Sequence, residues 1–134
     1  MKTAQIGAST ALAAFGALHN SGTLVFLSGT QPANPDTALS GNTTLCTATF
    51  AATAFGTPSY SSPNEQAVAS FTAANYAPAA TGVCTFARAY KSDGTTVLGD
   101  YTVGTSGTDI IIGNTTIQTG VNVAPSLTIK LAAD

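Results

Sequence analysis

The single histidine, His19, is the first residue to consider for catalysis, because imidazole is the usual general base. Ser21, two positions later, could act as a nucleophile only with an orienting carboxylate and an oxyanion hole. Neither is marked in the sequence, and residues 20–22 (NSG) are typical of a helix stop. We therefore interpret His19 as a helix C-terminal residue, favoured there by the helix dipole, and predict no catalytic residue and no enzymatic activity.

The acidic residues are too few and too scattered for a metal or a carboxylate-pair site. Asp93, Asp100 and Asp109 are the only clustered acids, and their spacing matches no calcium loop. Asp93 lies in a predicted hairpin turn, where its side chain caps the backbone. Glu65 is the only glutamate, which excludes a glycosidase built on two glutamates. We predict no metal, no cofactor and no small-molecule substrate.

The two cysteines, Cys46 and Cys84, both fall within predicted strands that also carry phenylalanine. A disulfide between two facing sheets is one interpretation. Two free, buried thiols that pack as small apolar groups are the other. We favour free thiols, because no secretory signal places the chain in an oxidising compartment.

Arg88 has the sequence context of a binding residue. It lies on the aromatic face of a predicted strand, between Phe86 and Tyr90. Its stem could cover these rings with the guanidinium in water, or it could contact another subunit, since arginine and tyrosine are enriched at binding hot spots. Both interpretations stay open. We take Arg88, Tyr90, Phe15 and Leu18 as candidate interface residues, and expect charge reversal at Arg88 to weaken binding without unfolding the chain.

The first twenty residues predict a short amphipathic helix. Ala8, Leu12, Phe15 and Leu18 or His19 have the spacing of one helix face. A cleaved signal peptide is the weaker interpretation, because polar residues and Gly7 interrupt the apolar run. We expect this helix to dock on the rest of the fold or on a partner. No segment reaches the length of apolar sequence that spans a membrane.

From residue 23 the hydrophobic period changes from helical to two, which predicts strands. Residues 92–94 (SDG) predict a hairpin, and Gly113 with Asn114 predicts a second hairpin with a two-residue turn. The predicted strands are residues 23–28, 43–50, 67–73, 82–91, 95–103, 109–112, 115–118, 121–123 and 126–131, with loops at 31–41 and 55–63.

About eight short strands with glycine and proline turns, and one helix, predict an all-β protein. We expect an antiparallel β-sandwich, jelly-roll-like, formed by residues 1–134 as a single domain with residues 1–20 as its docked N-terminal helix. No repeat of 20–50 residues is present, so a solenoid is excluded.

The composition restricts the function further. Charged residues make up 7% of the chain, whereas 23 Thr, 24 Ala and 13 Gly are present. Four basic side chains cannot form the surface that a nucleic-acid binder needs. A neutral surface of small residues suits a protein that packs against copies of itself or against a partner.

Several segments together resemble a family of short structural proteins of tailed bacteriophages, often encoded among head genes. They are residues 24–33 (LVFLSGTQPA), 36–45 (DTALSGNTTL), 50–56 (FAATAFG), 92–97 (SDGTTV) and 103–107 (VGTSG). The resemblance covers about residues 8–131 in order. Residues 53–56 (TAFG) replace the proline-led loop of the family, and residues 84–88 (CTFAR) replace a strand with Trp-Phe-Arg.

The resemblance implies a virion protein made in the bacterial cytoplasm and located on the phage head surface. The role that we carry over is that of a decoration (cement) protein, which binds the outer shell and stabilises contacts of the major capsid protein. Its expected partners are the major capsid protein and copies of itself, as a dimer or trimer, with no nucleic acid and no membrane. A phage tail or fibre component, and a secreted or receptor-binding β-sandwich module, are the alternatives.

Overall fold

The computed structural model describes residues 2–133 of the chain, and they contain one helix and eleven strands. The helix, α1, covers Gln5–Ala17. The strands are β1 (Thr23–Leu27), β2 (Thr44–Phe55), β3 (Ser59–Ser61), β4 (Asn64–Phe71), β5 (Gly82–Val83), β6 (Phe86–Tyr90), β7 (Val97–Tyr101), β8 (Val103–Gly104), β9 (Ile110–Ile111), β10 (Thr116–Ile117) and β11 (Ser126–Ala132).

Most of the strands form one sheet, in the order β7-β6-β1-β2-β4-β11-β9-β8. Strand β3 also pairs with β4, and β5 and β10 form a separate two-stranded ladder. The pairs are antiparallel except for β8 with β9, which is parallel and departs from the all-antiparallel expectation. The predicted all-β, sandwich-like fold with a short N-terminal helix is confirmed.

The sheet curves back on itself. Strands β7 and β8 lie at opposite ends of the sheet order, yet only Thr102 separates them along the chain. Because one residue spans at most about 3.6 Å, the two ends of the sheet must meet. This closure explains how a single sheet can surround a core whose buried side chains come from nearly every strand.

Helix α1 packs against β2, β4 and β11 and contributes Leu12 to the core. The core is otherwise built mainly from Leu, Ile, Ala and Phe side chains, and Phe50 stacks on Phe71 with 5.1 Å between ring centroids. Burial of these apolar side chains is the main stabilising contribution to the fold.

The predicted hairpin at residues 92–94 is confirmed, because β6 and β7 pair across this turn. The Asp93 carboxylate accepts hydrogen bonds from the backbone N–H groups of Thr95 and Thr96 and from the Thr96 hydroxyl. The hydrogen bonds from Thr96 and Thr95 lower the pKa of Asp93 to about 2.

The predicted hairpin at Gly113 and Asn114 is wrong. Strand β9 pairs with β8 and β11, whereas β10 pairs with β5. The two segments on either side of this turn therefore belong to different ladders. The physical reason is that Ile110, Ile112 and Ile117 are buried in the core with residues from distant parts of the chain.

Several strand boundaries also differ from prediction. The predicted strand 82–91 is divided into β5 and β6 at Cys84 and Thr85. Strand β2 continues to Phe55, and β3 lies inside the predicted loop 55–63. Residues 121–123 form no strand, although Val123 makes an isolated bridge with Tyr76.

Candidate interaction surface

Helix α1 forms from a segment rich in alanine, the residue with the highest helix propensity. Its first turn lacks an acidic residue, its last turn lacks a basic one, and no side chain caps its N-terminus at Ala4. The Ser9 and Thr10 hydroxyls donate to the Ile6 carbonyl. A helix this short and weakly capped depends on tertiary packing for its stability.

The buried side of α1 is rotated relative to the prediction. Ala8 and Leu12 are buried as expected, and of the two predicted alternatives His19 is the buried one, whereas Gly16 takes the place expected for Phe15. Phe15 is half-buried, and Leu18 is 44% exposed rather than part of the packed face. Gly16 allows this arrangement, because a Cβ there would meet the Phe55 ring at 3.2–3.3 Å.

The opposite side of α1 is exposed and uncharged. We call it the α1 face; it consists of Ile6, Thr10, Ala13, Ala14, Ala17 and Leu18. Ile6 is 78% exposed, the highest value among the exposed large apolar side chains. This outer side lacks the charged residues that the solvent-facing side of a helix normally carries. The α1 face therefore has the character of a docking surface.

A shallow groove lies on each side of the helix. The first, which we call the β11 groove, has a volume of about 400 Å³. Its walls are Ala11, Leu12 and Phe15 on one side and Tyr101, Asp109, Ile129, Lys130 and Leu131 on the other. The second, which we call the 55–58 groove, has about 260 Å³ and is lined by Ala13, Ala17, Asn20, Thr53 and residues 55–58. Both grooves are large enough to receive apolar side chains.

His19 fixes the end of α1 to the sheet. Its Nδ1 lies 3.0 Å from the Phe15 carbonyl and its Nε2 lies 2.8 Å from the Tyr101 hydroxyl. A carbonyl can only accept, so Nδ1 donates and Nε2 of the neutral ring accepts from Tyr101. The imidazole is fully buried and contacts Phe15, Phe50 and Phe55 edge to face.

This environment favours the neutral imidazole. Burial lowers the pKa of His19, and backbone hydrogen bonds with Phe15 and Gly16 only partly oppose that effect. Burial also raises the pKa of Tyr101, so the hydroxyl remains a donor. His19 does lie just after the helix end, as predicted, but packing and hydrogen bonds hold it there instead of a positive charge in the helix dipole.

Arg88 is a buried residue of β6. Its side chain is 2% exposed, so the version with the guanidinium in water is wrong. Nε and one terminal nitrogen donate to the two Asp100 oxygens at 2.7 and 3.0 Å. The other terminal nitrogen donates to the Thr37 carbonyl at 2.8 Å. A glutamate at position 88 would face Asp100 in a buried site, so from this geometry we expect charge reversal there to destabilise the fold.

Tyr90 lies two positions further along β6 and is half-buried, opposite Thr23 of β1 and Val97 of β7. The structure thus places Arg88 and Tyr90 on β6, and Phe15 and Leu18 at the end of α1. An intersubunit role for these four residues stays a prediction.

Arg88 also holds a long loop against the sheet. Residues 28–43 connect β1 to β2, and the bond to Thr37 ties the middle of this loop to β6. Asn42 donates to the Ser28 and Thr30 carbonyls at 2.8 and 3.0 Å. The Thr85 hydroxyl donates to the Gly29 carbonyl at 2.6 Å. The loop that carries the SGTQPA segment is therefore anchored at both ends and in the middle.

Cys46 and Cys84 are free and buried, which confirms the favoured interpretation. Burial raises the pKa of the Cys84 thiol to about 11, so it is protonated at neutral pH. Within residues 2–133, His, Cys, Asp and Glu form no group of three or more that could hold a metal ion. Among the same residues, no helix is long and apolar enough to cross a bilayer.

Comparisons of the chain with protein-family models, with curated proteins and with solved structures found no match.

Sequence reasoning missed three contributors to this arrangement. Ile6 lies on the opposite side of the helix from Ala8, and a helical projection of the segment would have revealed its exposure. Asp100 pairs with Arg88 only because the β6–β7 register shifts at Leu98. Tyr101 lies 82 positions from His19, and no local pattern connects the two.

Proposed function

We propose that this chain is a structural protein of a tailed-phage virion that binds the outer face of the capsid shell and stabilises contacts between major capsid subunits. The observation that carries the proposal is the neutral character of its exposed surface. The ordered resemblance over residues 8–131 supplies the virion context.

Because some of the charged side chains are buried, the surface carries even fewer charges than the composition suggests. The sequence has only four basic and six acidic side chains, and Arg88, Asp100 and Glu65 are buried side chains. Desolvating hydroxyl and methyl groups costs less than desolvating charges. Such a surface can therefore bind a partner mainly through burial, and a specific interface of standard size buries about 1,600 Å² in total.

The anchored loop supports a binding role as well. Loop 28–43 is fixed by Arg88, Asn42 and Thr85 before any partner is present. A preorganised loop loses less conformational entropy on binding than a free one. It can therefore contribute contacts to a shell without a large ordering cost.

The proposal is tested by deleting the gene and adding purified protein back to heads that lack it. We expect saturable binding to the heads and a higher temperature of head disruption. A matched control uses Arg88→Met protein, whose loop anchor is lost, and we expect weaker binding from it wherever it is still folded. Failure of the wild-type protein to bind complete heads would contradict a role on the shell.

A further inference from the structure

We infer that the α1 face is where a second copy of this chain docks, with the two α1 helices antiparallel across a twofold axis. The face is self-complementary in shape, and it carries no charge that would repel a second copy. The inference concerns the free protein, so it holds or fails separately from the role on the shell.

A stripe of three apolar side chains runs along the α1 face. Ala13 lies seven residues after Ile6, and Ala17 lies eleven residues after it. Both spacings are close to whole numbers of helical turns, so the three residues lie on one side of the exposed face. Ile6 projects at one end of this stripe and is 78% exposed. At the other end, Ala17 borders the 55–58 groove. The stripe therefore has an apolar protrusion at one end and an apolar recess at the other.

An antiparallel pair matches these two ends. The rise of 1.5 Å per residue puts Ile6 and Ala17 about 17 Å apart along the helix. If the twofold axis crosses the exposed face midway between them, at the level of residues 11–12 along the helix, Ile6 of one copy lies beside Ala17 of the other. The same rotation keeps the stripe on one side of both helices, so each Ile6 side chain lies over the 55–58 groove of the other copy.

The middle of the face allows close approach. Thr10, Ala13 and Ala14 are small, and helices with small contact residues pack at the lower end of the usual 8–10 Å between axes. A twofold contact also uses the same surface on both copies, as in most homodimers.

The distribution of charge around α1 also favours a second copy as the occupant. The α1 face carries no charge, so two copies do not repel one another. Lys2 is the only Lys, Arg, Asp or Glu before Asp36, and it lies just ahead of the helix. In the antiparallel pair, Lys2 of one copy lies at the same end as the C-terminus of the other helix, whose last turn has no basic residue. A cation is favoured at that end of a helix.

The first test is the mass in solution of the full-length protein, measured by light scattering after size-exclusion chromatography over a range of concentrations. We expect a dimer for the wild type. Ile6→Lys should raise the dimer dissociation constant by more than about tenfold, as expected for the loss of a well-packed anchor. The control is Val83→Lys, at a 56% exposed valine of the separate β5–β10 ladder, and it should remain a dimer.

A crosslink tests the antiparallel geometry. Cysteines at positions 6 and 17 of one chain are too far apart to bridge within it, since a disulfide needs Cα atoms about 4.4–6.8 Å apart. The double variant Ile6→Cys with Ala17→Cys should therefore oxidise to a covalent dimer, whereas Ile6→Cys with Val83→Cys, whose second position lies in the separate β5–β10 ladder, should not. A wild-type monomer at all concentrations, or a dimer that Ile6→Lys leaves intact, would overturn the inference.

Discussion

At the scale of single residues, Arg88 is the buried charge on which the β1–β2 loop depends. Its guanidinium binds both Asp100 oxygens and the Thr37 carbonyl, and its side chain is 2% exposed. Removing one partner of a buried pair is more harmful than replacing both, because the remaining charge has no compensation.

We expect Arg88→Met to lower the free energy of unfolding by about 3–5 kcal/mol, measured by urea denaturation. The control Lys91→Met changes a less buried cation just after β6 and should cost less than about 0.5 kcal/mol. Adding Asp100→Leu to Arg88→Met should restore much of the lost stability. Equal denaturation midpoints for Arg88→Met and the wild type would show that the pair contributes nothing.

His19 predicts a dependence of stability on pH. Its pKa in the folded chain is below the ordinary value of 6.5, so the unfolded chain takes up this proton first as the pH falls. Stability from this group is therefore complete above about pH 6.5 and decreases as the pH falls below it. His19→Gln should be less stable at pH 7 but show a flatter profile between pH 7 and 5 in thermal melts. A wild-type profile as flat as that of the variant would contradict the neutral, buried imidazole.

Prediction from the sequence at this scale succeeded where a residue's own type decided the outcome. Cys46 and Cys84 are free and buried, as small apolar thiols usually are. It failed where the outcome depended on a distant partner. The position of Arg88 on β6 was predicted, but its burial required Asp100 and a loop from another part of the chain.

At the scale of elements, the junction between α1 and β1 determines how the helix lies on the sheet. The Gly22 N–H donates to the His19 carbonyl, and the Gly22 carbonyl accepts from the Phe50 N–H. A Cβ at Gly22 would overlap the Tyr90 carbonyl oxygen, which belongs to the backbone of β6 and cannot move aside alone.

We therefore expect Gly22→Ala to destabilise the protein by about 1–3 kcal/mol through overpacking, seen as a lower melting temperature. Gly56→Ala is the matched control, because a Cβ there meets nothing within 4 Å. Equal melting temperatures for the two variants would show that the junction is looser than this contact implies.

The two predicted hairpins show how far local signals reach. The turn at residues 92–94 was predicted correctly because Asp93 caps its own backbone, whatever the rest of the chain does. The signal at Gly113 and Asn114 was comparable, yet β9 and β10 pair with other strands. Burial of Ile110 and Ile117 against distant strands decided their pairing, and a local pattern does not contain that information.

At the scale of the whole molecule, the neutral surface predicts how binding to a shell responds to salt. Screening weakens contacts between exposed charges but has little effect on apolar burial. We expect the affinity of purified protein for heads that lack it to change by less than about threefold between 50 and 500 mM NaCl, measured by co-sedimentation. A loss of affinity of about tenfold or more would indicate that the few exposed charges, such as Lys130, carry the contact.

The fold class was predictable at this scale because composition and hydrophobic period act over the whole chain. The closure of the sheet through Thr102 was not predictable, since it depends on the order in which the strands pair.

The dimer inferred at the α1 face would give each binding unit two attachment points, and linked sites bind more tightly than either alone.

The central claim is that this protein covers a capsid shell, and its copy number tests that claim most directly. The measurement is the molar ratio of this chain to the major capsid protein in purified particles, by quantitative mass spectrometry. We predict a ratio near one copy for each capsid subunit. A ratio of a few copies per hundred subunits would place the protein in the tail or at a vertex, and its absence from particles would contradict a virion role altogether.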